Sequence, residues 1–185
     1  MNQLKLSVML ALMLSVLSAC NNTNTGVSSN SVAPAGASTE AVAPSGTAIS
    51  FVDTQEGKLL VIDATLFDTP QAKEFLATGK NPYIGNEEAI AKGHKIFGLY
   101  SCTQCHGPEA KGQVGPGLVG PDYKYPKDAN NKGMFETIWH GTNGGMGAKG
   151  VGLMDPTDPS NGIAPDDMLK VIAWIRSKSA VTGNE

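Results

Sequence analysis

Ser101-Cys102-Thr103-Gln104-Cys105-His106-Gly107 decides the reading of this 185-residue chain. It sets two cysteines three positions apart, with a histidine directly after the second. That is the attachment signature of a c-type haem. Each thiol can add to a haem vinyl group to give a thioether, and His106 can then reach the iron as proximal ligand. The spacing matters because the vinyls lie on adjacent pyrroles. A short turn must present both sulfurs to one ring edge while the imidazole stands over the metal. A zinc half-site would need further ligands, and the remaining cysteine, Cys20, lies in a different kind of segment. A thioredoxin-like pair would open a helix in a βαβ pattern, and no such pattern is visible.

Working outward toward the N-terminus, residues 1–19 read as a secretory signal. Lys5 is its only charge, and the apolar run from Leu6 to Leu17 is too short to span a bilayer as a stable helix. The segment ends Leu17-Ser18-Ala19-Cys20, which resembles the lipobox of bacterial lipoproteins. In such proteins the signal is cut before the cysteine, which is then acylated. Cys20 is therefore the expected lipidation site, and the expected location is the periplasmic face of a bacterial membrane. Buried acyl chains anchor with about 0.8 kcal/mol per CH₂. Export agrees with the haem motif, because c-type haem is attached outside the cytoplasm in bacteria.

Residues 20–50 are rich in Asn, Thr, Ser, Ala, Gly and Pro, with one charge at Glu40. Such a segment buries too little apolar surface to offset its ordering entropy, and it is expected to be a flexible tether. About thirty such residues span roughly 30 Å on average. The formal charge of the whole chain is −3, and loss of Lys5 makes it one unit more negative. From Lys80 onward basic and acidic residues balance, and the acidic excess lies between Glu40 and Glu74. No basic patch points to nucleic acid.

Residues 51–80 read as an N-terminal extension packed on a core, and residues 81–185 as a cytochrome c domain. Ile49-Ser50-Phe51-Val52 and Leu59-Leu60-Val61-Ile62 are short apolar runs suited to a small hairpin or an extended arm. Thr69-Pro70 begins a helix, with Thr69 as N-cap and Pro70 in its first position, and Gly79 ends it. Asn86 caps the next helix, with Glu87 and Glu88 in its first turn. Ile90, Gly93, Ile96, Phe97 and Tyr100 follow its three-to-four period. Gly93 costs about 1 kcal/mol of helix propensity relative to alanine, so a packing reason is expected. A short helix is expected over Gly133 to His140. The last helix opens at Pro165, with Met168, Leu169, Ile172 and Ile175 as its apolar stripe. Gly93, Phe97 and Trp174 resemble the crossing of first and last helices in class I cytochromes c. In those proteins a proline carbonyl after the haem motif holds the proximal imidazole, and Pro116 is the matching residue.

The candidates for the sixth iron ligand are Met134, Met146, Met154, Met168, His94 and His140. Met134 and Met168 stand on apolar helix faces, as core residues do. His94 lies on the helix before the haem motif, and His140 ends a helix. Met154 is in a loop close to the last helix. Met146 lies forty residues after His106, among glycines that let backbone approach a ring. It is the preferred ligand. A His/Met pair raises the haem potential and fills both axial positions, which argues against a peroxidase-like or O₂-binding haem protein. The chain is expected to move single electrons, with no catalytic residues and no enzyme activity.

Several segments together resemble the cytochrome c-L family. They are Gly115-Pro116-Gly117-Leu118, Tyr125-Pro126-Lys127, Gly133-Met134-Phe135-Glu136-Thr137-Ile138, Gly144-Gly145-Met146-Gly147 and Asp167 to Arg176. Upstream, Asp68-Thr69-Pro70, Lys73 to Gly79 and Asn81-Pro82-Tyr83 look similar too. The family's aromatic-rich Tyr-Trp-Thr-Tyr-Pro run is replaced here by Asp122-Tyr123-Lys124-Tyr125-Pro126. The resemblance implies an all-α cytochrome c fold, with crossed N- and C-terminal helices and Gly/Pro-rich loops around one covalent haem c. It implies a donor, the quinoprotein methanol dehydrogenase or a related alcohol dehydrogenase of the periplasm. It implies an acceptor too, a downstream c-type cytochrome or a terminal oxidase. Thr103, Gln104, Pro116, Met146 and Ala148 are candidates for the docking rim. Family members have been linked with a calcium ion near the haem. No compact carboxylate cluster marks it here, so metals other than haem iron stay open. The alternative is a haem c subunit of a membrane-bound respiratory complex.

Overall fold

The computed structural model describes residues 48–181, 183 and 184. The signal, the lipobox with Cys20 and nearly all of the tether lie outside the described residues. No helix among the described residues is long and apolar enough to cross a membrane.

The chain enters through a two-residue antiparallel ladder, β1 (Phe51–Val52) against β2 (Leu59–Leu60), with Phe51 opposite Leu60. Asp53 organises the turn between them. It is buried, and its carboxylate accepts the backbone N–H groups of Gln55 at 2.8 Å, Glu56 at 2.5 Å and Lys58 at 2.9 Å. Helix α1 (Pro70–Thr78) follows. The Thr69 hydroxyl accepts from the Ala72 N–H at 3.1 Å, and Gly79 closes the helix in the left-handed region at φ 75°. Both ends behave as their residue types dictate: a hydroxyl replaces a missing carbonyl partner, and glycine accepts the reversed backbone.

Helix α2 (Glu87–Leu99) is capped by Asn86, whose side-chain oxygen accepts from the Ala89 N–H at 2.9 Å. Helix α5 (Pro165–Lys178) crosses it. A β-carbon on Gly93 would lie 2.0 Å from the Lys170 carbonyl oxygen, so only glycine permits this crossing. Beside it, Phe97 and Trp174 pack with ring centroids 4.6 Å apart, and His94 also stacks on Trp174 at 4.7 Å. The propensity lost at Gly93 is thus offset by close backbone approach.

Two further helices complete the body, α3 (Thr103–His106) and α4 (Asn131–His140). Helix α4 starts two residues before the expected Gly133. The Asn130 side chain accepts from the Gly133 N–H at 2.7 Å, which lets the helix begin at Asn131. Phe51, Phe67, Phe75 and Phe135 gather into one aromatic cluster, the Phe75 and Phe135 centroids being 5.0 Å apart. Rings this close contribute about 0.5–1.5 kcal/mol per pair beyond their burial. At its edge sits Glu136, almost fully buried. It accepts from the Val52 N–H at 2.8 Å and pairs with Lys127 and Lys132. A buried carboxylate without such partners would cost several kcal/mol, so these contacts hold β1 against α4.

The α1 end is tied to α5 by polar contacts. Thr69 and Tyr83 hydroxyls donate to Asp166 at 2.6 and 2.7 Å. Burial, and then the Asp166 carboxylate, push the Tyr83 phenol up to about 12.

Candidate haem site

The site grows from one helical turn. Ser101 takes a left-handed φ of 59°, and α3 follows at once. Cys102 is half-buried and Cys105 exposed. Burial pushes the Cys102 thiol up. His106 is buried, and its Nδ1 lies 2.8 Å from the Pro116 carbonyl oxygen. That carbonyl can only accept, so Nδ1 carries the proton and Nε2 keeps its lone pair for a metal.

The loop after α3 folds back tightly on the histidine. The Gly112 N–H donates to the His106 carbonyl at 2.9 Å, and the Gly115 N–H to the Cys105 carbonyl at 2.7 Å. A β-carbon on Gly115 would stand 3.3 Å from the imidazole Cε1. The ring is therefore held by backbone on one side and by a hydrogen bond on its edge.

Met146 reaches the site from the loop after α4. Gly141 ends that helix at φ 79°, and its missing β-carbon would otherwise lie 2.4 Å from the Met146 carbonyl oxygen. The Thr142 N–H donates to that same carbonyl at 2.8 Å, closing the loop on itself. Lys149 and Gly150 then return to the last carbonyls of α4.

These elements enclose a cavity of about 420 Å³. Cys102, Cys105, His106, Pro116 and Met146 all line it. Met154, Met168, His94 and His140 do not, and Met134 and Met168 are buried in the core. Of the other rim candidates, Thr103, Gln104 and Ala148 stand away from the cavity lining. The volume falls within the roughly 300–1,000 Å³ of cofactor clefts. Two sulfurs beside one wall, an imidazole of fixed tautomer and a thioether on the same cavity fit a covalently held haem.

Several lining residues carry no sequence motif. Asp128 is buried and accepts from the Thr137 hydroxyl at 2.7 Å. Burial pushes its carboxyl up to about 6, against the Thr137 hydrogen bond and the charges of Lys127 and Arg176. Tyr125 and Lys149 also line the cavity. The only sequence signal for Asp128 was an acidic residue in a turn, which is ordinarily solvated. Among the described residues, no group of three or more His, Cys, Asp or Glu side chains could hold a further metal ion.

The Cytochrome c family model matches residues 90–179. Crystal structures of cytochrome cL align over most of the described chain. That from Hyphomicrobium denitrificans is 40% identical with a TM-score of 0.60, covering 70% of this chain and 73% of that one. This chain belongs to the cytochrome c-L family. A second such structure, from the marine methylotroph Methylophaga aminisulfidivorans, is 36% identical with a TM-score of 0.59. It is covered to 79%, by 70% of this chain. The cytochrome c-L of Methylorubrum extorquens is 41% identical over 109 residues, which are 59% of this chain and 50% of that protein. The chain thus spans half the length of that relative. As a cytochrome c-L it has the cytochrome c fold and binds one haem c covalently.

Proposed function

We propose that this cytochrome c-L takes single electrons from a periplasmic quinoprotein dehydrogenase of methanol or another alcohol. It then hands them to a downstream c-type cytochrome or a terminal oxidase. Cys102 and Cys105 would hold the haem, and His106 and Met146 would supply its iron with an imidazole and a thioether. The observation that carries this reading is that all four side chains line one cavity, with His106 Nδ1 on the Pro116 carbonyl.

The bound haem supplies reversible one-electron exchange at its iron. The chain's own residues prepare it for that task. His106 presents a single tautomer because Pro116 holds the other nitrogen. A thioether at the sixth position favours the reduced state and raises the potential. The exposed Cys105 and the 84%-exposed Val114 lie at the cavity mouth, where a partner can approach the haem edge. Transient redox encounters bury less than about 1,200 Å², so a small apolar rim suffices.

For residues outside the described part, the proposal is a signal over 1–19, lipidation of Cys20 and a tether over 20–50. The extension of 51–80 and the cytochrome domain of 81–185 follow. The tether would let the domain meet its partners above the periplasmic face of the membrane.

The decisive experiment is stopped-flow mixing of the ferric protein with reduced quinoprotein methanol dehydrogenase. Saturable haem reduction is expected. If no quinoprotein alcohol dehydrogenase reduces it, the donor assignment is wrong. In parallel, the ferric protein should show the weak far-red iron–thioether band, and Met146→Ala should abolish it while haem stays attached. Cys20→Ser should release a soluble protein with an unchanged spectrum. Its retention in the membrane would defeat the anchor.

A further inference from the structure

The turn between β1 and β2 makes three hydrogen bonds to residues more than 80 positions away in sequence: to Thr137 within α4, to His140 at its last residue and to Asn143 in the Met146 loop. The Thr54 and Thr137 hydroxyls are 3.0 Å apart; since Thr137 gives its proton to Asp128, Thr54 is the donor. Gln55 Nε2 donates to the His140 carbonyl at 3.1 Å. Asn143 Nδ2 donates to the Gln55 carbonyl at 2.8 Å. His140 and Asn143 bracket Gly141, the point at which the chain leaves α4 for Met146. The His140 carbonyl is one of the helix-terminal acceptors that an α-helix leaves without a partner of its own.

The turn is itself rigid. Asp53 receives three backbone N–H groups, so Thr54 and Gln55 are presented in one conformation before they meet the loop. Behind it, the ladder is locked by the Phe51 cluster and by the Val52–Glu136 hydrogen bond. The loop alone holds little: Gly144, Gly145 and Gly147 are exposed, and a β-carbon on Gly145 or Gly147 would meet nothing within 4 Å. The loop's own backbone bonds join Thr142 to Met146 and Lys149 and Gly150 to α4, and the turn adds a hold at its entry, at His140 and Asn143.

We propose that the turn of residues 53–58 is a brace on the sixth-ligand loop. Gln55 and Asn143 act as positioning residues that set how readily the Met146 thioether leaves the iron. The inference rests on Met146 being the sixth ligand. Its consequence is that the N-terminal segment, outside the haem-binding part of the chain, governs access of outside ligands to the haem.

The test uses the full-length holoprotein. Cyanide enters a His/Met haem only when the thioether is released, so its binding rate to the ferric protein measures loop opening. Gln55→Ala and Asn143→Ala are each expected to raise that rate about two- to fivefold, as follows from the net worth of one hydrogen bond. The double variant should raise it about tenfold and lower the pH at which the far-red band disappears. Thr65→Ala, which removes an exposed hydrogen bond to Asp63 in the same N-terminal segment, should leave both unchanged. Asn143→Gln should recover part of the wild-type rate. Wild-type cyanide rates and an unshifted band in the double variant would overturn the brace while Met146 remained the ligand. A wild-type protein lacking the band, or a Met146→Ala protein keeping it, would remove the ligand assignment and the brace together.

Discussion

Two loops wall the haem cavity, and they are held in opposite ways. The loop after His106 is tied by its own neighbours. Pro116 meets the imidazole ten positions on, and Gly112 and Gly115 donate back to His106 and Cys105. The loop carrying Met146 closes on itself through Thr142 and returns to α4 through Lys149 and Gly150, but it is also held from afar by Gln55, 88 positions before Asn143. A ligand fixed by local contacts forms as soon as its turn forms. A ligand fixed by distant ones exists only once the whole chain has folded. The contrast suits a c-type cytochrome: the proximal side must present the haem-binding motif early, whereas the distal side can be tuned by what packs over it.

The largest effect that sharpens this contrast is expected at Gly141. Alanine there would bring a β-carbon against the Met146 carbonyl and keep a left-handed φ. We expect a loss of about 2–4 kcal/mol in denaturant unfolding and weakening of the far-red band at neutral pH. Retention of both would mean that the distal loop is as self-sufficient as the proximal one.

An intermediate effect is expected at Asp128, which joins the cavity to the brace through Thr137 and Thr54. Its carboxyl rises from an ordinary 3.8 to about 6 in the folded protein, chiefly because it is buried. A raised carboxyl favours the protonated native state. That stabilisation is complete below the unfolded value and is lost as pH climbs through about 6. Asp128→Asn cannot ionise, so its stability relative to wild type should improve by about 2 kcal/mol between about pH 4 and about pH 7.5. Equal differences at the two pH values would show that the carboxyl does not titrate in the cavity.

The smallest effect belongs to the proximal side. Pro116→Ala keeps the carbonyl that faces His106, and removes only the ring's restraint on the unfolded chain. A change below about 1 kcal/mol is expected, with the haem spectrum preserved. A larger loss, or a shifted proximal-histidine resonance, would show that the proline ring itself aims the carbonyl.

Much of the scaffold was legible from residue types. Thr69, Asn86, Gly79 and Pro165 mark helix ends by chemistry that acts within four residues, and the helices start or stop there. Gly93 announced a close approach because glycine in a helix needs a reason, and Lys170 supplies it. Helix α4 was legible in kind but not in its first turn, because Asn130 could equally have read as a loop residue. Asp128, Tyr125 and Lys149 gave no sign of lining the cavity. Each looks like an ordinary surface residue until the fold turns it inward.

The sequence by itself determined the haem motif, the proximal carbonyl at Pro116, the capped helices and the family. The motif and the caps depend on residues near one another in the chain, where spacing sets geometry, whereas Pro116 and the family were read from resemblance over several segments. Only the tertiary structure decided which methionine shares the cavity with His106, which carboxyl is buried beside it, and that Gln55 reaches the Met146 loop. Those contacts join segments up to 88 positions apart. Their existence depends on the packing of α4 and α5 on the aromatic cluster, which no local pattern encodes.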